Sequence, residues 1–253
     1  LWRSMLRYVR CSSGGVFSSY EAANPPSLDP YVSGSQGASF WASYSFSRLF
    51  MSLAGPEVPK GSLEVEGDVA DGYEVSEDAT LYTITIRDDV MWPPPLDRAM
   101  TVDDITYSWG RFSGETSEAP SPRHEDIEFV TAVEKVDEST VSFTLEAPYP
   151  FFLSRLADPK VFFILPEGTD TDYNPAEEIR GSGPWILSEY SPDSKADYVR
   201  NPKWHKGPER PYFDGVTVNI VPEYATQLSQ FLGGNLDWVV VQGGDLARVL
   251  KDV

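Results

Sequence analysis

The side chains that most often carry chemistry are unevenly supplied in this chain: 39 Asp and Glu accompany two histidines, His124 and His205, and one cysteine, Cys11. The acidic pairs Asp88-Asp89, Asp103-Asp104 and Glu177-Glu178 have the residue types of a glycosidase acid and nucleophile. Those groups must flank a sugar bond at about 5–10 Å, whereas sequence neighbours suit turns and helix caps. A zinc site or histidine triad would need one of two scattered histidines to meet partners by chance, and neither stands at a ligand spacing. One cysteine excludes an internal disulfide framework and a thiolate cage. Gly181-Ser182-Gly183 runs into Pro184, which has no N–H for a phosphate, and no G-x-G-x-x-G or Walker loop occurs. These residues support neither catalysis nor a cofactor, and they form no metal site.

Those residues sit in a chain of 253 with 41% apolar and 13% aromatic content, enough for one large domain or two modest ones. The net charge of −19 repels phosphate backbones and anionic membranes, so no nucleic-acid partner is expected. The longest apolar runs, 161–165 and 238–241, fall far short of the roughly 20 residues that cross a bilayer. With 21 Pro and 19 Gly among many aromatics, strands and turns are favoured over a helical bundle, and the expected class is mixed α/β.

The elements follow from periodicity. A short strand begins at Val16-Phe17 and stops before Asn24-Pro25-Pro26; Ser27-Leu28-Asp29-Pro30 then turns the chain. Apolar spacing predicts a helix over 39–51, preceded by a loop that Gly34 and Gly37 keep pliable enough to touch a ligand. Hairpins are expected at 72–75 with 80–87 and at 130–136 with 140–145. Between them Thr101 caps a helix reaching about Arg111, and a polar loop spans 113–123. A short helix to Leu156, strands at 161–165, 185–190, 195–200 and 215–221, a helix over 223–232 and a strand at 236–241 complete the series, the last three suggesting a βαβ crossover. At the start, residues 1–11 have the spacing of a short amphipathic helix or a frayed end, and arginines at 3, 7 and 10 interrupt any secretory apolar core. Cys11 with Ser12-Ser13-Gly14-Gly15 is similar to the acylated cysteine and tether of exported lipoproteins, but Tyr8-Val9-Arg10 lacks the small residues that precede such a cleavage point.

Taken in order, several segments resemble the extracellular solute-binding proteins of peptide and nickel ABC importers, family 5, of the oligopeptide- and dipeptide-binding type. Ser27-Leu28-Asp29-Pro30 is similar to the opening "LDP" turn, residues 67–92 to the "W-E-V-S-x-D-G-x-T-Y-T-F-x-L-R" run, and Thr101-Val102-Asp103-Asp104-Ile105 to "T-A-x-D-V". Residues 133–150 match "V-x-V-V-D-x-x-T-V-x-F-x-L-x-x-P-Y-P", and Gly181-Ser182-Gly183-Pro184-Trp185 stands for "G-T-G-P-Y". Asn201-Pro202-Lys203-Trp204, Pro211-Tyr212-Phe213-Asp214 and residues 232–237 complete a series that is specific only jointly. Pro93-Pro94-Pro95 departs from the usual His-Asp-Gly turn, and the chain is shorter than full members, as an N-terminal portion would be.

The resemblance implies a periplasmic-binding-protein-like fold of the large type II group. Residues 1–14 would be a tether or leader remnant, 15–48 plus 160–253 an incomplete first-lobe mixed-sheet domain, and 50–155 an inserted β-rich subdomain, with the second lobe missing. It also implies a monomeric, non-enzymatic receptor at the extracellular face or in the periplasm, either free or lipid-anchored through Cys11. Such a receptor would deliver a peptide-like solute to an ABC permease and ATPase. An oligosaccharide or metal chelate is the alternative ligand, and a secreted hydrolase on a similar scaffold the alternative class. Tyr31, Val32, Ser33, Gly34 and Ser35, with Phe40 beside them, would offer backbone groups and aromatics to an extended peptide. For Phe40 and Trp41 core packing is the competing role. Lys160 lies where some relatives carry a basic residue that meets an anionic ligand group, and a solvated lysine is the competing role there.

Overall fold

A computed structural model describes residues 14–252; the expected helix at 1–11 and Cys11 lie outside the described residues. In chain order the first elements are β1 (Val16–Glu21), α1 (Gln36–Ser45), β2 (Phe50–Ser52), β3 (Val65–Gly67), β4 (Ala70–Val75), β5 (Leu81–Ile86) and α2 (Val102–Ser113). After a 3-10 turn at His124–Ile127 come β6 (Val130–Asp137), β7 (Thr140–Leu145), α3 (Phe152–Ala157), α4 (Thr169–Asp172), β8 (Trp185–Ser191), β9 (Lys195–Arg200), β10 (Gly215–Ile220), α5 (Tyr224–Leu232) and α6 (Leu246–Asp252). The class is mixed α/β, as the composition implied.

The described residues form two compact units: one of residues up to Asn24 with Leu187–Arg200 and Lys206 onward, the other of Pro25–Ile186 with Asn201–His205. The expected partition runs differently, separating 25–48 and 160–186 from 50–155. The reason for the observed grouping is a continuous core: Tyr31, Phe46 and Leu49 are buried in the same cluster as Ile84, Phe143 and the run from Val161 to Leu165.

In the larger unit, period-two patterning makes the antiparallel sheet β4-β5-β7-β6. β5 buries Tyr82, Ile84 and Ile86, with Thr83 half-buried and Thr85 exposed between them. Both expected hairpins are present, and α2 and α3 pack in this unit with Ile105, Trp109, Phe112, Phe152 and Leu156 buried. Two expectations here need correction. The helix over 39–51 is α1, which ends at Ser45, where the carbonyl accepts the Gly183 N–H at 2.7 Å; Phe50–Ser52 instead pairs with Val65–Gly67 as a two-stranded ribbon. An ideal Cβ at Gly181 would stand 1.9 Å from that same Ser45 oxygen, so the Gly181-Ser182-Gly183 loop owes its glycines to this close approach. The run 161–165 is buried but is no strand. Its backbone bonds go to Ser47 O from the Ile164 N–H, to Ser108 Oγ from the Leu165 N–H at 2.8 Å, and to Phe163 O from the Tyr31 hydroxyl.

In the smaller unit the sheet order is β1-β10-β9-β8, with β1 parallel to β10 and β10 antiparallel to β9. Ser19, Tyr20, Ala196, Tyr198, Val216 and Val218 are buried along it. α5 follows β10, and Gln227 Nε2 donates to Val221 O at 2.6 Å. The strand expected at 236–241, and with it the βαβ crossover, is not formed. The Asp237 N–H does donate to Ser18 O, but its carboxylate takes the Ser18 N–H that a second backbone carbonyl would need, both at 2.8 Å. A side chain thereby replaces the ladder after one bond, and α6 is the next element.

Candidate functional site

The turn at residues 27–30 builds the site from below. Buried Asp29 accepts the Tyr31 N–H through Oδ1 at 2.9 Å, closing an Asx turn that fixes its carboxylate. Arg111, in the last turn of α2, donates to that carboxylate through both Nη atoms at 2.9 and 2.5 Å. Its Nε donates to Asp170 of α4 at 2.9 Å, and the Tyr107 hydroxyl, one helical turn earlier, donates to the same carboxylate at 2.8 Å. Burial works against the Arg111 charge, but its hydrogen bonds to Asp29 and Asp170 outweigh it and hold the guanidinium above the ordinary arginine range. Burial likewise works against the Asp170 charge, and hydrogen bonds from Arg111 and Tyr107 keep the carboxyl below its usual range. Burial, helped by Asp170, pushes Tyr107 up to about 12, and burial pushes Tyr173 to about 12. Both phenols are neutral at physiological pH.

The opposite wall depends on how α2 stops. Gly114 caps the helix at φ +88°, where an added Cβ would stand 2.7 Å from Pro120 N, so glycine lets the chain fold back. Ser117 Oγ then donates to Arg111 O at 2.9 Å and the Ser121 N–H to Phe112 O at 2.9 Å. Residues 116–120 and Pro122 thereby join Tyr31, Val32, Arg111 and Asp170 around an open recess of about 880 Å³. Sites for small solutes span about 300–1,000 Å³.

Of the residues singled out in the sequence, Tyr31 and Val32 line this recess; Tyr31 is buried and Val32 is 56% exposed. Ser33, Gly34 and Ser35 continue the same loop without lining it. Ser33 Oγ accepts from the Ser35 N–H, Ser35 Oγ caps α1 by accepting from the Ala38 N–H, and Gly34 packs on Pro122 and Arg123. The backbone N–H and C=O groups of Val32, Ser33 and Gly34 make no hydrogen bond among the described residues. Phe40 is half-buried on α1 with its ring edge-on to Tyr44, while Trp41 is 2% exposed and belongs to the core. Lys160 is half-buried outside the lining; its carbonyl accepts from Arg123 Nε at 3.4 Å. Arg111, Asp170 and the 116–120 loop were not singled out in the sequence. The signals that mark them are a Tyr-x-x-x-Arg pair on α2 and the glycine-to-proline spacing that closes the following loop.

The residues weighed for chemistry take structural partners. Asp104 accepts from Trp92 Nε1, the Thr101 and Glu167 N–H groups and both Nη atoms of Arg98. Burial opposes its charge, and Arg98 with those N–H groups keeps its pKa below the usual range. Asp103 pairs with Lys135, Asp89 with Arg87 and Glu178 with Arg180. His124 packs edge-on to Trp109 and Phe112, and buried His205 meets Asp68 at 3.1 Å through Nε2. Among the described residues no three His, Cys, Asp or Glu side chains gather as a metal site.

Residues 64–252 match the profile of the bacterial extracellular solute-binding proteins, family 5 Middle. The chain belongs to this family. Its curated relatives include the probable D,D-dipeptide-binding periplasmic protein DdpA of Escherichia coli, 28% identical over 91% of this chain and 44% of that protein. The heme-binding protein A of Haemophilus influenzae is 26% identical over 78% of this chain and 39% of that protein. Among solved structures, the periplasmic binding protein DppA from Helicobacter pylori in complex with the peptide STSA superposes with a TM-score of 0.80 at 19% identity, over 95% of this chain and 49% of that one. At that identity the likeness establishes a shared fold. This family 5 chain spans less than half the length of the curated relatives it matches. The matched stretch includes α2, the 116–122 wall and Asp170, while loop 31–35 precedes it.

Proposed function

We propose that this family 5 chain is the solute-binding component of an ABC importer, capturing a peptide-like solute outside the cell for delivery to a membrane permease. The observation that carries the reading is the recess of about 880 Å³ beside residues 32–34, whose unsatisfied backbone groups suit edge-on pairing with an extended peptide. Relatives named for dipeptides and a fold neighbour holding a tetrapeptide support that ligand class. On this reading residues 31–35 form one wall of the site, Phe40 flanks it, and Lys160 meets an anionic ligand group. The protein acts by binding and not by turnover.

Isothermal titration of the chain with a di- and tripeptide library tests the reading. Saturable binding that Val32→Pro weakens is expected, because proline removes one of the free backbone donors. Absence of binding to any peptide, or release of cleaved product, overturns it. Heme is the informative competitor, given the relative named for it: tighter binding of heme than of every peptide would transfer the site to a metal chelate.

A further inference from the structure

The charges around the recess do not balance. Among the described residues Arg111 is the one cationic side chain in its lining, against Glu118 and Asp170, with Asp29 bonded to it from behind. That guanidinium already faces two carboxylates, so three acidic groups stand against a single base. Glu118 is exposed and makes no hydrogen bond or ion pair among the described residues. Arg123, next to the lining residue Pro122, is itself paired with Asp126 at 3.3 Å. Tyr31 and the neighbouring phenols of Tyr107 and Tyr173 are neutral, because burial raises all three. The remaining lining residues, Thr116, Ser117, Ala119, Pro120 and Pro122 with Val32, are uncharged.

We propose that this recess selects solutes bearing a cationic group, the ammonium of a lysine-like side chain or the guanidinium of an arginine-like one, held by Glu118 and Asp170. The proposal rests on the peptide-binding reading above and adds the charge of the ligand to it. The physical basis is that a ligand cation gains attraction from both carboxylates, whereas an anion finds Arg111, the lining cation, already bonded to two carboxylates. Glu118 has no other partner to lose when the ligand arrives. Asp170, already held in place by Arg111 and Tyr107, is pre-positioned and contributes at little cost in side-chain entropy.

The test titrates the chain with Ala-Lys-Ala, Ala-Gln-Ala and Ala-Glu-Ala at 20 mM and 500 mM NaCl. Ala-Lys-Ala is expected to bind about tenfold more tightly than Ala-Glu-Ala at low salt, with the gap narrowing at high salt. Glu118→Gln should shrink the preference to about threefold and Glu118→Lys should level or invert it. Glu118 is exposed and unpaired, so circular dichroism of both variants should match the parent. Equal affinity for the three peptides, or a preference untouched by both substitutions, overturns the charge selection while leaving the peptide reading intact. Failure of all three peptides, together with the library above, overturns both.

Discussion

Replacing Arg111 by methionine should be among the most damaging single changes in the larger unit, and the structure says why. The side chain is 9% exposed and joins two carboxylates of unlike exposure, Asp29 at 3% and Asp170 at 46%. Losing the Asp170 contact resembles losing a surface ion pair, about 0–1 kcal/mol. Losing the Asp29 contact strands a buried carboxylate whose remaining bond comes from the Tyr31 N–H, and removing one partner of such a pair costs about 3–5 kcal/mol. Methionine fills much of the volume, so the deficit is electrostatic. Urea unfolding followed by tryptophan fluorescence is a suitable assay, because Trp109 lies on the same helix in ring contact with Phe112. The expected order is Arg111→Met at about 3–5 kcal/mol, Arg111→Lys between, since an ammonium cannot reproduce the forked contact, and Asp170→Asn at about 1 kcal/mol or less. An Arg111→Met loss below about 1 kcal/mol, or an Asp170→Asn loss equal to it, would refute the assignment of the energy to Asp29.

Gly181→Ala places a methyl 1.9 Å from Ser45 O and should cost about 1–3 kcal/mol by forcing the end of α1 aside, read by the same unfolding assay. Gly114→Ala, at φ +88°, should cost about 1 kcal/mol and weaken peptide binding more than it weakens the fold, because the 116–120 wall loses its anchor point. The lowered pKa of Asp104 contributes stability that is present above the ordinary aspartate pKa of about 3.9 and lost as pH falls through the folded value. Parent and Asp104→Asn should therefore differ most in stability near pH 7, with the gap narrowing as pH falls below about 3.9; a gap that stays constant with pH would contradict this.

What was legible in the sequence was local. The two hairpins follow from strand-like runs bounded by turn residues, with alternation clearest in β5, and α2 from a cap whose Thr101 N–H meets the Asp104 carboxylate three residues on. Misread segments are those whose backbone partners are distant. Residues 161–165 have strand-like composition, but apart from the local Val161 N–H bond to Asp158 O their hydrogen bonds go to Ser47, Ser108 and Tyr31, all more than 50 residues away in the chain. Residues 236–241 failed for the opposite reason: a single polar side chain, Asp237, outcompeted the carbonyl that would have extended the ladder. The end of α1 was set by a glycine loop 138 residues away in the chain, through Ser45 O and Gly183 N.

The lining of the recess was legible only in part, on the same principle. Loop 31–35 could be marked as a candidate because glycine and serine in a turn-rich stretch leave backbone groups free, and of its residues Tyr31 and Val32 line the recess. Arg111 could not be, because its position on α2 shows only a basic residue suited to the helix C-terminus. Its role depends on Asp29, 82 residues earlier, and Asp170, 59 residues later, which fold brings to one guanidinium. That arrangement also gathers part of the chain's acidic excess at the recess. Around most of the described surface each carboxylate either faces water or takes its own base, as Asp89 takes Arg87 and Glu178 takes Arg180. At the recess one base serves two carboxylates and a third acid, Glu118, has no ion pair among the described residues, which is the imbalance behind the proposed preference for a cationic solute.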